Sequence, residues 1–198
     1  MSNQLMIPTM VHHSYIFLAY WLKDAYLVHL CSEAQKTGQT TAIFTNSVSE
    51  TRRVSRLLAT LYIGVVSLEA DLPTSARAAA LDKLRRRDCH AVVTTDLAAA
   101  LDPTLPMPKV DRIINFSLVG WKMKPETYTQ RVSNVGGHTR HAITFVSQYC
   151  VESKRGVEKA LGAPLAEYAV DFDMVIHCHV QVHLATLRDP SLRDPDSW

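Results

Sequence analysis

Hydrophobic positions along the chain switch repeatedly between a period of two and a period near 3.6. Residues 11–19 alternate loosely and are rich in aromatic and β-branched side chains, which predicts a strand. Residues 24–35 predict a helix with Ala25, Leu27, Val28 and Cys31 on or near its buried stripe. The turn at Gly38 is followed by a short apolar strand, Thr41-Ala42-Ile43-Phe44-Thr45. Ser47 and Glu50 have the spacing of a capping box, in which the hydroxyl and the carboxylate each satisfy a free backbone amide. The helix they open turns Val54, Leu57, Leu58 and Leu61 inward and Arg52, Arg53 and Arg56 outward.

Further on, residues 64–68, 89–94, 112–116 and 142–147 predict strands. Residues 74–86 predict a helix, opened by Pro73 and closed among Arg85, Arg86 and Arg87, where cations suit the helix dipole. Residues 125–132 and 150–161 predict two more, the second stopped by Gly162. Beyond residue 163 the pattern is ambiguous. Ile176, Val180, Leu184 and Leu187 fit a helical stripe, whereas Ile176, Cys178, Val180, Val182 and Leu184 fit a strand. Residues 189–198 carry two Asp-Pro pairs and read as an irregular tail.

Strands alternating with helices predict an α/β fold with a mostly parallel sheet. The expected organisation is a tail over residues 1–10, a domain over 11–162, and an extension and tail over 163–198. Such sheets bind ligands beyond the carboxyl ends of their strands. The candidate positions therefore lie just after Thr45, Leu68, Thr95 and Phe116.

Charge and cysteine content narrow the options. A net charge of +2 over 198 residues provides no bulk basic field, so any nucleic-acid contact must come from a local patch. Arg52, Arg53 and Arg56 form one such patch and Arg85, Arg86 and Arg87 another; each reads either as a phosphate-binding face or as solvated surface. The four cysteines are scattered, with neither metal-pair spacing nor a disulfide framework, so reduced thiols in an intracellular chain are expected. The apolar run 15–22 is too short to cross a bilayer, and no membrane partner is expected. His179 and His183 are four apart, but no well-spaced third ligand follows, so no metal site is expected. Trp21 and Trp121 could each stack a base, but burial is the expectation for both.

Six segments in order resemble a known family. Thr41-Ala42-Ile43-Phe44-Thr45-Asn46 resembles helicase motif IV. Arg77 stands where the family has the Arg of its Gln-x-x-Arg element, with Thr74 in place of Gln. Val93-Thr94-Thr95-Asp96-Leu97-Ala98 resembles the start of motif V, and Asp111-Arg112-Ile113-Ile114-Asn115-Phe116 the strand after it. Tyr128-Thr129-Gln130-Arg131-Val132 resembles the start of motif VI, and Ala142-Ile143-Thr144-Phe145-Val146 the closing strand. From about residue 11 to residue 161 the chain thus resembles the second RecA-like domain of a DEAD-box RNA helicase. Lys23-Asp24-Ala25-Tyr26-Leu27-Val28-His29-Leu30 is further similar to a subgroup that works in small ribosomal subunit assembly.

The resemblance implies a three-layer RecA-like fold followed by a C-terminal extension. It implies RNA-binding roles for Asn46, Arg77, Thr95 and Asp96, and a nucleotide-facing remnant at Asp102 and Arg131. For Arg77 the competing reading is a solvated helix face, and for Thr95 and Asp96 a local cap at a strand end. The resemblance implies RNA and a protein or RNA–protein assembly as partners, without DNA specificity, and a nuclear or nucleolar location.

The chain also departs from the family. No Gly-x-x-x-x-Gly-Lys-Ser/Thr occurs and no Gly is followed by Lys, so the chain has no phosphate cradle and no ATP site of its own. The family pattern His-Arg-x-Gly-Arg-x-x-Arg becomes Gln130-Arg131-Val132-Ser133-Asn134-Val135-Gly136-Gly137. Asn134 and Gly137 thus replace the two arginine fingers. Arg140 better matches a later, non-catalytic arginine. Motif V is one residue short before Asp102 and lacks its Arg-Gly pair. No residue is therefore expected to be catalytic, and ATP with Mg would enter only if a first RecA-like half were supplied. Three readings stay open: an RNA-binding module derived from a helicase, the C-terminal half of a two-part helicase, and a protein-interaction scaffold that does not bind RNA.

Overall fold

A computed structural model of the chain describes residues 11–100, 104–118, 125–134, 136 and 140–194. Seven strands form one sheet: β1 (His12–Phe17), β2 (Thr41–Phe44), β3 (Val65–Leu68), β4 (Ala91–Thr94), β5 (Arg112–Asn115), β6 (His141–Val146) and β7 (Ala166–Glu167). Their order is β3-β4-β2-β5-β6-β1-β7, and every pairing is parallel. The helices are α1 (Lys23–Lys36), α2 (Val48–Thr60), α3 (Thr74–Arg85), α4 (Asp96–Ala100), α5 (Pro125–Val132), α6 (Val151–Leu161) and α7 (Phe172–Arg188).

Alternation along the strands sorts two cores, one on each face of the sheet. Ile16, Ile43, Val93, Ile114, Ile143 and Phe145 meet Leu27, Leu30, Leu57 and Leu58 of α1 and α2, together with Val175 and Val182 of α7. Ala42, Phe44, Val92, Ile113 and Ala142 meet Leu81 and Leu84 of α3, Tyr128 and Val132 of α5, and Val157 of α6. The expected three-layer α/β fold is what forms.

The ambiguous stretch resolves as helix. Asp171 caps α7 by accepting from the amides of Asp173 and Met174, and its apolar stripe packs against α1. The extension first adds β7 to the sheet, in register with Ser14 and Tyr15. Residues 190–192 then form a 3₁₀ turn against α2. Gly162 closes α6 with φ of +68°, a left-handed conformation natural for glycine.

Three expectations about side chains fail. Arg53 does not face outward. It is buried, and its guanidinium grips Asp24 at 2.6 and 3.0 Å and lies 3.6 Å from Asp194. Trp21 is 56 % exposed and meets His179 of α7 edge-on, because the short turn before α1 carries it to the rim. Arg77 is not on a solvated face but is 2 % exposed.

Candidate functional site

Parallel pairing brings the candidate residues to one edge. Phe44 of β2 is level with Thr94 of β4, so Asn46 and Asp96 leave the sheet side by side, and Asn115 of β5 flanks them. The capping box sets the first loop. The Ser47 hydroxyl accepts from the Glu50 amide at 3.1 Å, and Glu50 Oε2 accepts from the Asn46 amide at 2.9 Å. Asn46 is exposed, and its side-chain amide donates to the Leu118 carbonyl.

The second loop starts α4. Thr95 Oγ1 accepts from the Ala98 amide at 3.2 Å, which is the local-cap reading. The short Ala-rich α4 follows directly. Arg77 reaches it from below and donates Nη2 to the Ala98 carbonyl. Among the described residues its buried Nε and Nη1 have no hydrogen-bond partner and no carboxylate pairs with it.

Arg131 joins the two sets of candidates. Its side chain has no exposed surface. Nε and Nη2 donate to the two oxygens of Asp96 at 2.6 and 2.8 Å. Nη1 donates to Asn115 Oδ1 at 3.0 Å and to the Ser117 carbonyl at 3.3 Å, and the guanidinium lies over the Phe44 ring. Asp96 therefore does not point free toward RNA, nor Arg131 toward a nucleotide; each occupies the other. A hollow of about 180 Å³ beside them is lined by Ala100, Met107, Gln130, Ser133 and Asn134, and its one described cation is the paired Arg131. These residues do not fit the γ-phosphate of ATP, because Asn134 carries no charge to neutralise it. Asp102, Gly137 and Trp121 lie outside the described residues. Arg140 precedes β6 at the opposite edge of the sheet, with φ of +43°, and its carbonyl accepts from the His12 amide.

A larger cleft of about 890 Å³ opens at the same edge, between Tyr20, the start of α2, the loop after β5 and Tyr149. Three residues from separate parts of the chain meet at its centre. Lys23 donates to Ser117 Oγ at 2.7 Å, Ser117 donates to Glu50 Oε1 at 2.6 Å, and the ammonium sits 4.0 Å above the Phe116 ring. Burial alone would raise the Glu50 carboxyl, but Lys23, Ser117 and the Asn46 amide together hold it below the usual range. A carboxylate held ionised in this way is a weak base, so the trio positions the loops and does not activate the serine. No local spacing announces it, since Lys23 and Ser117 are 94 residues apart.

The arginine patches are neutralised. Arg52 pairs with Glu69 and Asp71, Arg56 with Asp189, Arg85 with Asp82, Arg86 with Asp88 and Arg87 with Asp111. Among the described residues no three His, Cys, Asp or Glu side chains gather as metal ligands, and no helix is long and apolar enough to cross a membrane.

Residues 22–136 match the model of the helicase conserved C-terminal domain. The chain is 41 % identical to the ATP-dependent rRNA helicase rrp3 of Aspergillus fumigatus over 177 residues, which is 88 % of this chain and 36 % of that protein. It is 39 % identical to rrp-3 of Neurospora crassa, covering 88 % and 33 %. The chain thus spans about a third of the length of these relatives. Among solved structures it resembles the E. coli DEAD-box protein SrmB bound to the regulator RraA, with a TM-score of 0.73 and 22 % identity over 83 % of this chain and 94 % of that one. It also resembles the C-terminal domain of Dbp5, with a TM-score of 0.70 and 20 % identity over 86 % and 97 %.

Proposed function

Since the chain belongs to the helicase conserved C-terminal domain family, we propose that it is an RNA-backbone-binding helicase module that cannot supply the arginine fingers of ATP hydrolysis. The observation that carries this reading is the different fate of two arginines at one edge. Arg131 spends four hydrogen bonds on Asp96, Asn115 and Ser117. Arg77 lies under α4 with two guanidinium nitrogens unmet and no carboxylate beside it among the described residues. Its uncompensated charge favours an anion over the Thr95 loop, where Asn46 and the Ser47 and Ser49 hydroxyls stand exposed. Contacts of this type position a phosphate backbone without reading sequence. The relatives' naming as rRNA helicases supports a role in ribosome assembly, with a nucleolar location and RNA–protein partners. ATP and Mg would take part only through a separate first RecA-like half.

The test is fluorescence anisotropy of a labelled single-stranded RNA at low and moderate salt. The native chain should bind, and binding should weaken with salt as released counterions compete. Asn46→Ala and Thr95→Ala should each weaken binding several-fold, the second with about 1 kcal/mol of stability lost with the α4 cap. Absence of binding at low salt would refute the RNA reading and leave a protein-interaction scaffold.

A further inference from the structure

α7 carries two apolar faces, and the fold uses one. Val175, Cys178, Val182 and Ala185 are buried against the core that α1 helps to build. On the other side Phe172, Ile176, Val180, Leu184 and Leu187 are 54, 39, 52, 48 and 55 % exposed. At 100° per residue these five fall within an arc of roughly 120°, running the whole helix length of about 25 Å. His183 stands inside the arc and Trp21, packed on His179, extends the apolar surface toward α1. An aligned apolar stripe of this kind on a surface helix marks an interaction site.

The order of residues in the stripe points to its occupant. Counted outward from Val180, Ile176 and Leu184 lie four residues away on either side. Farther out, Asp173 lies in the first turn and Arg188 in the last. Neither of these two side chains makes an ion pair among the described residues. A twofold axis through Val180 would set two copies of α7 antiparallel. Ile176 would then lie level with Leu184 of the second copy, and Val180 against its equivalent. At each end Asp173 would come within one residue of the level of Arg188 of the second copy, so that unlike charges close both ends. The central part of the stripe, Ile176, Val180 and Leu184, is thus its own complement under a twofold, as an isologous dimer requires.

We propose that the exposed face of α7 is a self-association surface, through which two copies of this chain pair antiparallel at a shallow crossing angle of about 20°. One helix face about 25 Å long and about 10 Å across covers less than the roughly 800 Å² per partner of a standard interface, so the pairing is weak, with Kd on the order of micromolar. Nothing in it depends on the RNA reading, because the stripe lies on the face of α7 away from the sheet.

Sedimentation velocity of the full chain from low micromolar to several hundred micromolar tests this. The native chain should shift from monomer to dimer across that range. Val180→Asp places two like charges across the axis and should weaken association at least tenfold. Val180 is half exposed, so the variant should fold, and an unchanged thermal melt verifies it. Asp173→Arg and Arg188→Asp should each weaken the dimer several-fold, and the double variant should restore it. A native chain that stays monomeric throughout would overturn the proposal and assign the stripe to a different protein. Association indifferent to Val180→Asp would also overturn it, as would a double reversal that fails to rescue.

Discussion

Replacing Asp96 with Ala removes the carboxylate that takes two of the hydrogen bonds of Arg131 and, among the described residues, the one charge paired with it. The guanidinium has no exposed surface, so water cannot easily replace the lost oxygens. It keeps Asn115 Oδ1 and the Ser117 carbonyl, two neutral acceptors. Breaking a buried ion pair from one side costs about 3–5 kcal/mol, because the remaining charge is left uncompensated. Asp96 is itself 28 % exposed, so some of its field is already screened and the lower end, about 3 kcal/mol, is expected. In a chain of this size that lowers Tm by roughly 6–12 °C. Urea unfolding followed by circular dichroism measures it. The Arg131→Met, Asp96→Ala double variant should lose less than the two single losses added, because no orphaned charge remains. A loss below about 1 kcal/mol for Asp96→Ala would mean that Arg131 does not depend on Asp96. The arginine would then be free to meet a phosphate, and the assignment of a structural role would fail.

Acid should destabilise the domain beginning just below neutrality. Burial pushes His13, His29 and His141 below the ordinary imidazole value, reinforced at His13 by the neighbouring His12. The unfolded chain therefore takes up protons first. Stability should be complete above about pH 6.5 and fall as pH drops from there toward the lower folded values, read as Tm against pH. A flat profile between pH 7.5 and 5.5 would contradict the burial argument. Thiol labelling should be selective. Cys31 is fully buried and pushed up to about 12, and Cys89 to about 11, so both should resist maleimide until denaturant is added, while partly exposed Cys150 reacts first. Asp24→Ala should cost about 3 kcal/mol, seen as a lowered urea midpoint, because buried Arg53 loses its two short contacts and keeps only the longer pair with Asp194.

The first six strands were legible because most are short apolar runs closed by a turn signal, and the longer helices because their stripes repeat at helical spacing; β7, an exposed Ala-Glu pair, and the short α4 carry no such signal. The Ser47–Glu50 cap was legible for the same local reason. α7 was not, since its valines, cysteine and leucines satisfy both periods; only packing on α1 selects the helix. Arg53 misled because helical spacing places it beside Arg52 and Arg56, whereas its partners come from 29 residues before and from the distant tail. The candidate site was legible as a set of residues but not as an arrangement. Motif resemblance marked Asp96 and Arg131 as facing different ligands, and only the meeting of α4 with α5 shows them spent on one another. Arg77 was named for phosphate, but its burial under Ala98 has no sequence signature.

On the proposed reading this domain keeps the RNA-facing edge of its family and has lost the charges that face the nucleotide. ATP turnover in a mixture of this chain, a first RecA-like half and single-stranded RNA tests it most directly. Turnover should stay at the level of the first half with RNA alone. Stimulation by the native chain above that level would show that a finger is supplied after all, and would contradict the account.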